Sequence, residues 1–197
     1  MTDDIKNNLQ DTFGDQTADR VLQDYSANPD IGTKLIDALR ARLSPSSTAR
    51  RLIQMADEQR VMIKFLKGRE ESIYVPESKC VFVCLTPRST PSARLALLYA
   101  GALREVEQNL LGFARPGNDV DDDTWTTWHA IKNVDIIKNL CIIVDEIVKK
   151  DQSDTDFLDS LAGLGHNDIY KALINKSSDD DLLRLYAKQQ QLTTKEG

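Results

Sequence analysis

The chain has 197 residues, 41% of them hydrophobic, which is enough apolar material for one folded domain. Its net charge of −6 argues against non-specific nucleic-acid binding, which draws on a basic surface to displace counterions. The longest strongly apolar run, residues 95–103, is about half a membrane span, and three cysteines, an odd number, suit a reducing cytoplasm.

The start of the chain is polar and acidic, without the basic region and apolar stretch of a signal peptide. Residues 1–14 are expected to be flexible, residues 15–190 to form a single mainly helical domain, and residues 191–197 to be a flexible tail. A first helix is predicted over 18–25, with Val21, Leu22 and Tyr25 on one face, and Asn28-Pro29-Asp30 breaks it. A second covers about 32–43 through Leu35, Ile36 and Leu39. A third covers about 47–59 through Leu52, Ile53 and Met55, with Pro45 at its entry.

The period then changes to two. Residues 61–66, 72–75 and 79–85 read as three strands joined by short spacers, which predicts an antiparallel meander. The third strand, with Cys80 and Cys84 on one face, is the most apolar. These two thiols and Cys141 read as small core residues.

A long helix is expected over about 90–111, with Thr90 as its cap and Pro91 in its first turn. It is apolar around much of its girth and should be central. The acidic loop after it resembles the start of a calcium loop, but Thr124 and Ala130 stand where that loop needs Gly and Glu. Its aspartates instead suit the positive end of a second long helix, over about 124–150. Short helices are predicted at about 155–161, 166–175 and 179–190.

The segment Ala102-Leu103-Arg104-Glu105-Val106-Glu107-Gln108 resembles the Glu-Leu-Arg-His-Ala-x-Gln of a bacterial zinc metallopeptidase (zincin-like) family. The lead-in from Tyr74 to Lys79 and the strand after it are also similar, and Asn133-Val134-Asp135 sits where that family has Glu-Ala-Asp. The resemblance covers about 61–150 and implies a zincin-like core. In His-Glu-x-x-His, two imidazoles one helical turn apart share a zinc ion, and the Glu activates its water. Here the corresponding positions hold Gly101, Ala102 and Glu105, and Asn133 takes the third ligand's place. The ligand set and the base are lost.

The fold expected is therefore α+β, a small three-stranded meander on a mainly helical body. The expected function is that of a non-catalytic pseudo-metallopeptidase binding a protein or peptide, with no cofactor, nucleic acid or membrane involved. A groove between the edge strand and the central helix would take an extended peptide. Two alternatives stand beside it. One is a divergent metal-dependent hydrolase with a remodelled site at Glu105, Asp135 and His129. The other is a helical adaptor unrelated to peptidases, which predicts an exposed apolar patch around Trp125 and Trp128 and no cleft beside Gly101. Neither His129 nor His166 belongs to a recognisable nucleophile motif, and no phosphate or dinucleotide loop occurs.

Overall fold

The computed structural model describes residues 29–67, 72–85, 92–113, 116–117, 120–152 and 155–193. The expected flexible start and the helix predicted over 18–25 lie outside the described residues. Helix α1 spans Pro29–Leu43. Pro29 and Asp30 of the predicted break thus begin a helix, because proline's missing N–H costs nothing in a first turn. Helix α2 spans Ser47–Glu58. Ser46, not Pro45, shapes its entry, accepting a hydrogen bond from Ala49 N at 3.0 Å.

Glu146, about 100 residues further along the chain, completes this entry. It accepts from Ser46 Oγ at 2.5 Å, Ser47 Oγ at 2.6 Å, Thr48 N at 3.0 Å and Thr48 Oγ1 at 3.1 Å. Desolvation would raise its carboxyl, but these donors outweigh burial and hold it down at about 2, against an ordinary 4.5. The folded value is the lower one. The stabilisation is therefore complete above pH 4.5 and is lost as the pH falls toward 2. Glu146→Gln should cost about 2 kcal/mol at neutral pH, and less near about pH 3. Urea denaturation at both pH values measures this; an equal cost at each would assign the loss to packing instead of charge.

Helix α2 ends in a Schellman turn, with Arg60 N bonded to Asp57 O and Val61 N to Ala56 O. Arg60 sits at φ 56° where glycine is usual. Arg60→Gly should therefore raise stability by about 1 kcal/mol, read as a higher denaturation midpoint.

Three strands follow: β1 Met62–Lys67, β2 Ile73–Val75 and β3 Cys80–Leu85. The α+β class holds, but the sheet is not an antiparallel meander. Its order is β1-β3-β2, with β1 parallel to β3 from Met62↔Cys80 to Lys67↔Leu85 and β2 antiparallel to β3. Burial explains the insertion of β3. Cys80, Val81, Phe82 and Val83 are all buried, so this strand has two faces to cover and takes the centre. Lys64 marks β1 as an edge, where charge discourages further pairing. One turn of 3₁₀ helix, Pro76–Ser78, and Lys79 at φ 48° reverse the chain between β2 and β3.

Helix α3 spans Ala93–Leu110 and is central as expected, with eleven of its eighteen residues buried. Its cap is Ser92, whose Oγ accepts from Leu95 N at 3.2 Å; Thr90 and Pro91 lie outside the described residues. Helix α4, Asp122–Lys150, is capped by Asp121, which accepts from Thr124 N at 2.7 Å. Helices α5 (Asp156–Gly163), α6 (Asn167–Ile174) and α7 (Asp179–Thr193) close the body, and α7 runs three residues into the segment expected as a tail. One hydrophobic cluster joins α1 to α7, from Leu39 through Tyr99 and Ile143 to Leu182. Cys80 and Cys141 are buried free thiols, and burial pushes both up to about 12. No helix among the described residues is long and apolar enough to cross a membrane.

Candidate functional site

Helices α3 and α4 lie side by side and run in opposite directions, which decides where each motif position points. The Cβ of a residue at 101 would lie 3.4 Å from Ile136 Cγ2 and 3.8 Å from Leu140 Cδ1. Gly101 is therefore a contact point between helices, and Ala102 beside it is equally buried. Two turns further along α3, Gln108 Nε2 donates to Lys132 O at 3.0 Å and to Asp135 at 2.6 Å.

Glu105, aligned with the second ligand of the resembled motif, is fully engaged. One oxygen accepts from Tyr74 N on β2 at 3.0 Å, and the other meets Lys132 Nζ. The expected groove between β2 and α3 is bridged at this point. Burial pushes the Lys132 ammonium down to about 8, still above neutral, and the adjoining carboxylate favours the charged form. Asp135 pairs instead with Arg104, at 2.8 Å to Nε and 2.9 Å to Nη2, a bidentate arrangement. Arg104 also meets Glu107, which reaches Arg51 on α2. Asn133 turns to another neighbour. Its Nδ2 lies 3.1 Å from His129 Nδ1 and donates to Tyr186 Oη on α7 at 2.8 Å.

The positions Gly101, Glu105 and Asn133 thus serve three different contacts. The alternative set of Glu105, Asp135 and His129 is likewise divided among Lys132, Arg104 and Asn133. Among the described residues, no three His, Cys, Asp or Glu side chains are grouped so as to hold a metal ion. His166, just ahead of α6, is pushed down to about 4 by desolvation, so it is neutral at pH 7.

A second feature lies where α3 ends and α4 begins. Helix α3 stops in a Schellman turn around Gly112 at φ 85°, with Gly112 N bonded to Asn109 O and Phe113 N to Gln108 O. The turn delivers Phe113 onto Trp128, ring centroids 5.7 Å apart and planes at 12°. Trp125 stacks on Trp128 at 5.3 Å, His129 lies 6.5 Å from Trp125, and Lys132 Nζ sits 5.5 Å over the Trp128 ring. The Phe113, Trp125 and Trp128 rings are half-buried, and on the same two helix ends Leu110 is 48% exposed, Leu111 73% and Ile131 43%. The two tryptophans were legible as an anchor pair; Leu110, Leu111 and Phe113 were not singled out. Their signal was the Leu-Leu-Gly-Phe sequence, apolar residues astride a glycine at a helix end.

No protein-family model, curated protein or solved structure matches this chain.

Proposed function

We propose that the protein acts by binding a protein partner, without catalysis, through the aromatic surface at the junction of α3 and α4. The observation that carries this is the Phe113–Trp128–Trp125 stack, with Leu110, Leu111 and Ile131 exposed on the same two helix ends. Clustered exposed apolar side chains of this kind mark interaction sites, and aromatic anchors supply much of the energy at interfaces. The packed surroundings of Gly101 favour this surface over a peptide groove beside α3. The role does not depend on whether the motif positions are relics of a zinc site. A cytoplasmic setting suits the free buried thiols, and the acidic chain suits a protein in preference to nucleic acid.

The test is selection of binders from a random-peptide display library on the whole chain. Trp125 and Trp128 are its only tryptophans, so intrinsic emission reports directly on the surface. Binders should shift that emission and lose about tenfold in affinity on Leu111→Gln. Binders indifferent to both would remove the reading. The metal-dependent alternative requires Glu105 and Asp135 to leave Lys132 and Arg104. Added zinc should therefore leave the melting temperature unchanged; one zinc per chain, lost on Glu105→Ala, would establish a hydrolase-like site instead.

A further inference from the structure

The sheet has two apolar faces, and only one of them belongs to the core that joins the helices. Alternation along the strands puts Ile63, Phe65, Tyr74, Val81 and Val83 on the α3 side, in contact with that core. Met62, Lys64, Ile73, Val75, Cys80 and Phe82 take the opposite side. Val75, Cys80 and Phe82 stand outside the helical cluster, yet they are only 7%, 0% and 1% exposed. Flanking strands cannot bury a phenyl ring that stands up from the middle of a three-stranded sheet. Such burial takes a second layer, packed about 10 Å from the first. Helix α1 reaches the sheet at β1, with Leu35 packed on the same cluster as the first face.

Composition selects the cover. Outside the described residues, the segments 68–71, 86–91, 114–115, 118–119, 153–154 and 194–197 contain no large apolar side chain. Residues 1–28 contain Ile5, Leu9, Phe13, Val21, Leu22 and Tyr25. The last three share one face of the helix expected over 18–25. Tyr25 comes four residues before Pro29, the start of α1, which is at most about 14 Å of extended chain. That length suffices to step from α1, beside β1, across the spacing of one packed layer. We propose that the chain's own N-terminal segment packs on the second face of the sheet, with Val21, Leu22 and Tyr25 over Val75, Cys80 and Phe82. The burial of Phe82 belongs to a single chain, so the occupant is this chain's segment in preference to a second copy or a partner. The sheet then lies between two apolar layers, which is what a central strand buried on both faces requires. Release of the segment would bare a second apolar surface, separate from the junction of α3 and α4, with the Cys80 thiol on it.

Two buried thiols make the test specific to one face. Cys80 lies on the second face of the sheet, and Cys141 lies in the helical cluster and serves as the control. The whole chain is treated with a maleimide at about pH 8, where an accessible thiol reacts readily, and labelled cysteines are located by peptide mass mapping. Both thiols should be protected in the unaltered chain. Leu22→Asp/Tyr25→Asp should speed labelling of Cys80 by about tenfold or more and leave Cys141 protected, because carboxylates leave an apolar face for water. A crosslink checks the placement independently. Under mild oxidation Val21→Cys, Leu22→Cys or Tyr25→Cys should form an intramolecular disulfide with Cys80, and Gln23→Cys, on the opposite helical face, should not. If the double variant unfolds, both thiols label together and the crosslink decides. Rapid labelling of Cys80 in the unaltered chain would overturn the proposal by showing an open face. Protection that survives in the folded double variant, with no crosslink from any of the three positions, would assign the cover to another segment. Protection that falls on dilution would assign it to a second copy.

Discussion

Gly101→His should destabilise the protein by about 2–5 kcal/mol, whereas Gly101→Ala should stabilise it by about 0.5–1 kcal/mol. The two substitutions act on the same point with opposite signs. A methyl group at 101 meets Ile136 Cγ2 at 3.4 Å and Leu140 at 3.8 Å, which is ordinary contact, and alanine relieves the entropic cost of glycine inside a helix. An imidazole must enter the same apolar seam, displace Ile136 or Leu140, and bury a polar ring without a partner. Thermal melting of both variants, with and without zinc, measures this. If Gly101→His melts like the unaltered chain and binds zinc, the position opens on a cleft and the seam assigned to it is wrong. If it melts far lower, the first ligand position of the resembled motif is a packing position in this protein.

Glu105→Ala should cost about 3 kcal/mol, because it leaves the Lys132 ammonium and the Tyr74 N–H without their common acceptor. Both side chains of the ion pair are about four-fifths covered, so solvent screens them only in part. Most of the cost is the penalty of a stranded charge, which makes the pair strongly non-additive. Glu105→Gln keeps an acceptor for Tyr74 and should cost less. Adding Lys132→Met removes the stranded ammonium, and the double variant should return to within about 1 kcal/mol of the parent. Urea denaturation of the two single variants and the double variant closes the cycle. Additive losses would mean that Glu105 and Lys132 act separately, and a cost below about 1 kcal/mol for Glu105→Ala would deny the bridge between sheet and helices any weight. The residue that stands in place of the resembled motif's second ligand is, in this arrangement, a tie between β2, α3 and α4.

What could be read without coordinates was local. The helical periodicity of residues 32–43, 47–59 and 124–150 placed α1, α2 and α4 to within a few residues, because one apolar face per helix recurs along the chain itself. The breadth of the apolar surface around residues 95–106 identified α3 as central, and the aspartates before Trp125 identified the start of α4, since both follow from neighbours in sequence.

Pairing over distance was decided only in three dimensions. Short spacers among the three strands suggested consecutive hairpins, yet β3 lies between β1 and β2, because a strand with four successive buried residues gains more at the centre than at an edge. Arg104 finds Asp135 across 31 residues, Glu105 finds Lys132 across 27, and Asn133 finds Tyr186 across 53. No spacing rule within one helix selects among those partners. The opposed directions of α3 and α4 do, by turning Gly101 into the interface, Glu105 toward β2 and Phe113 onto Trp128. The candidate ligands were therefore visible in the amino-acid order by itself. That they are packing and bridging residues followed from how the helices pack.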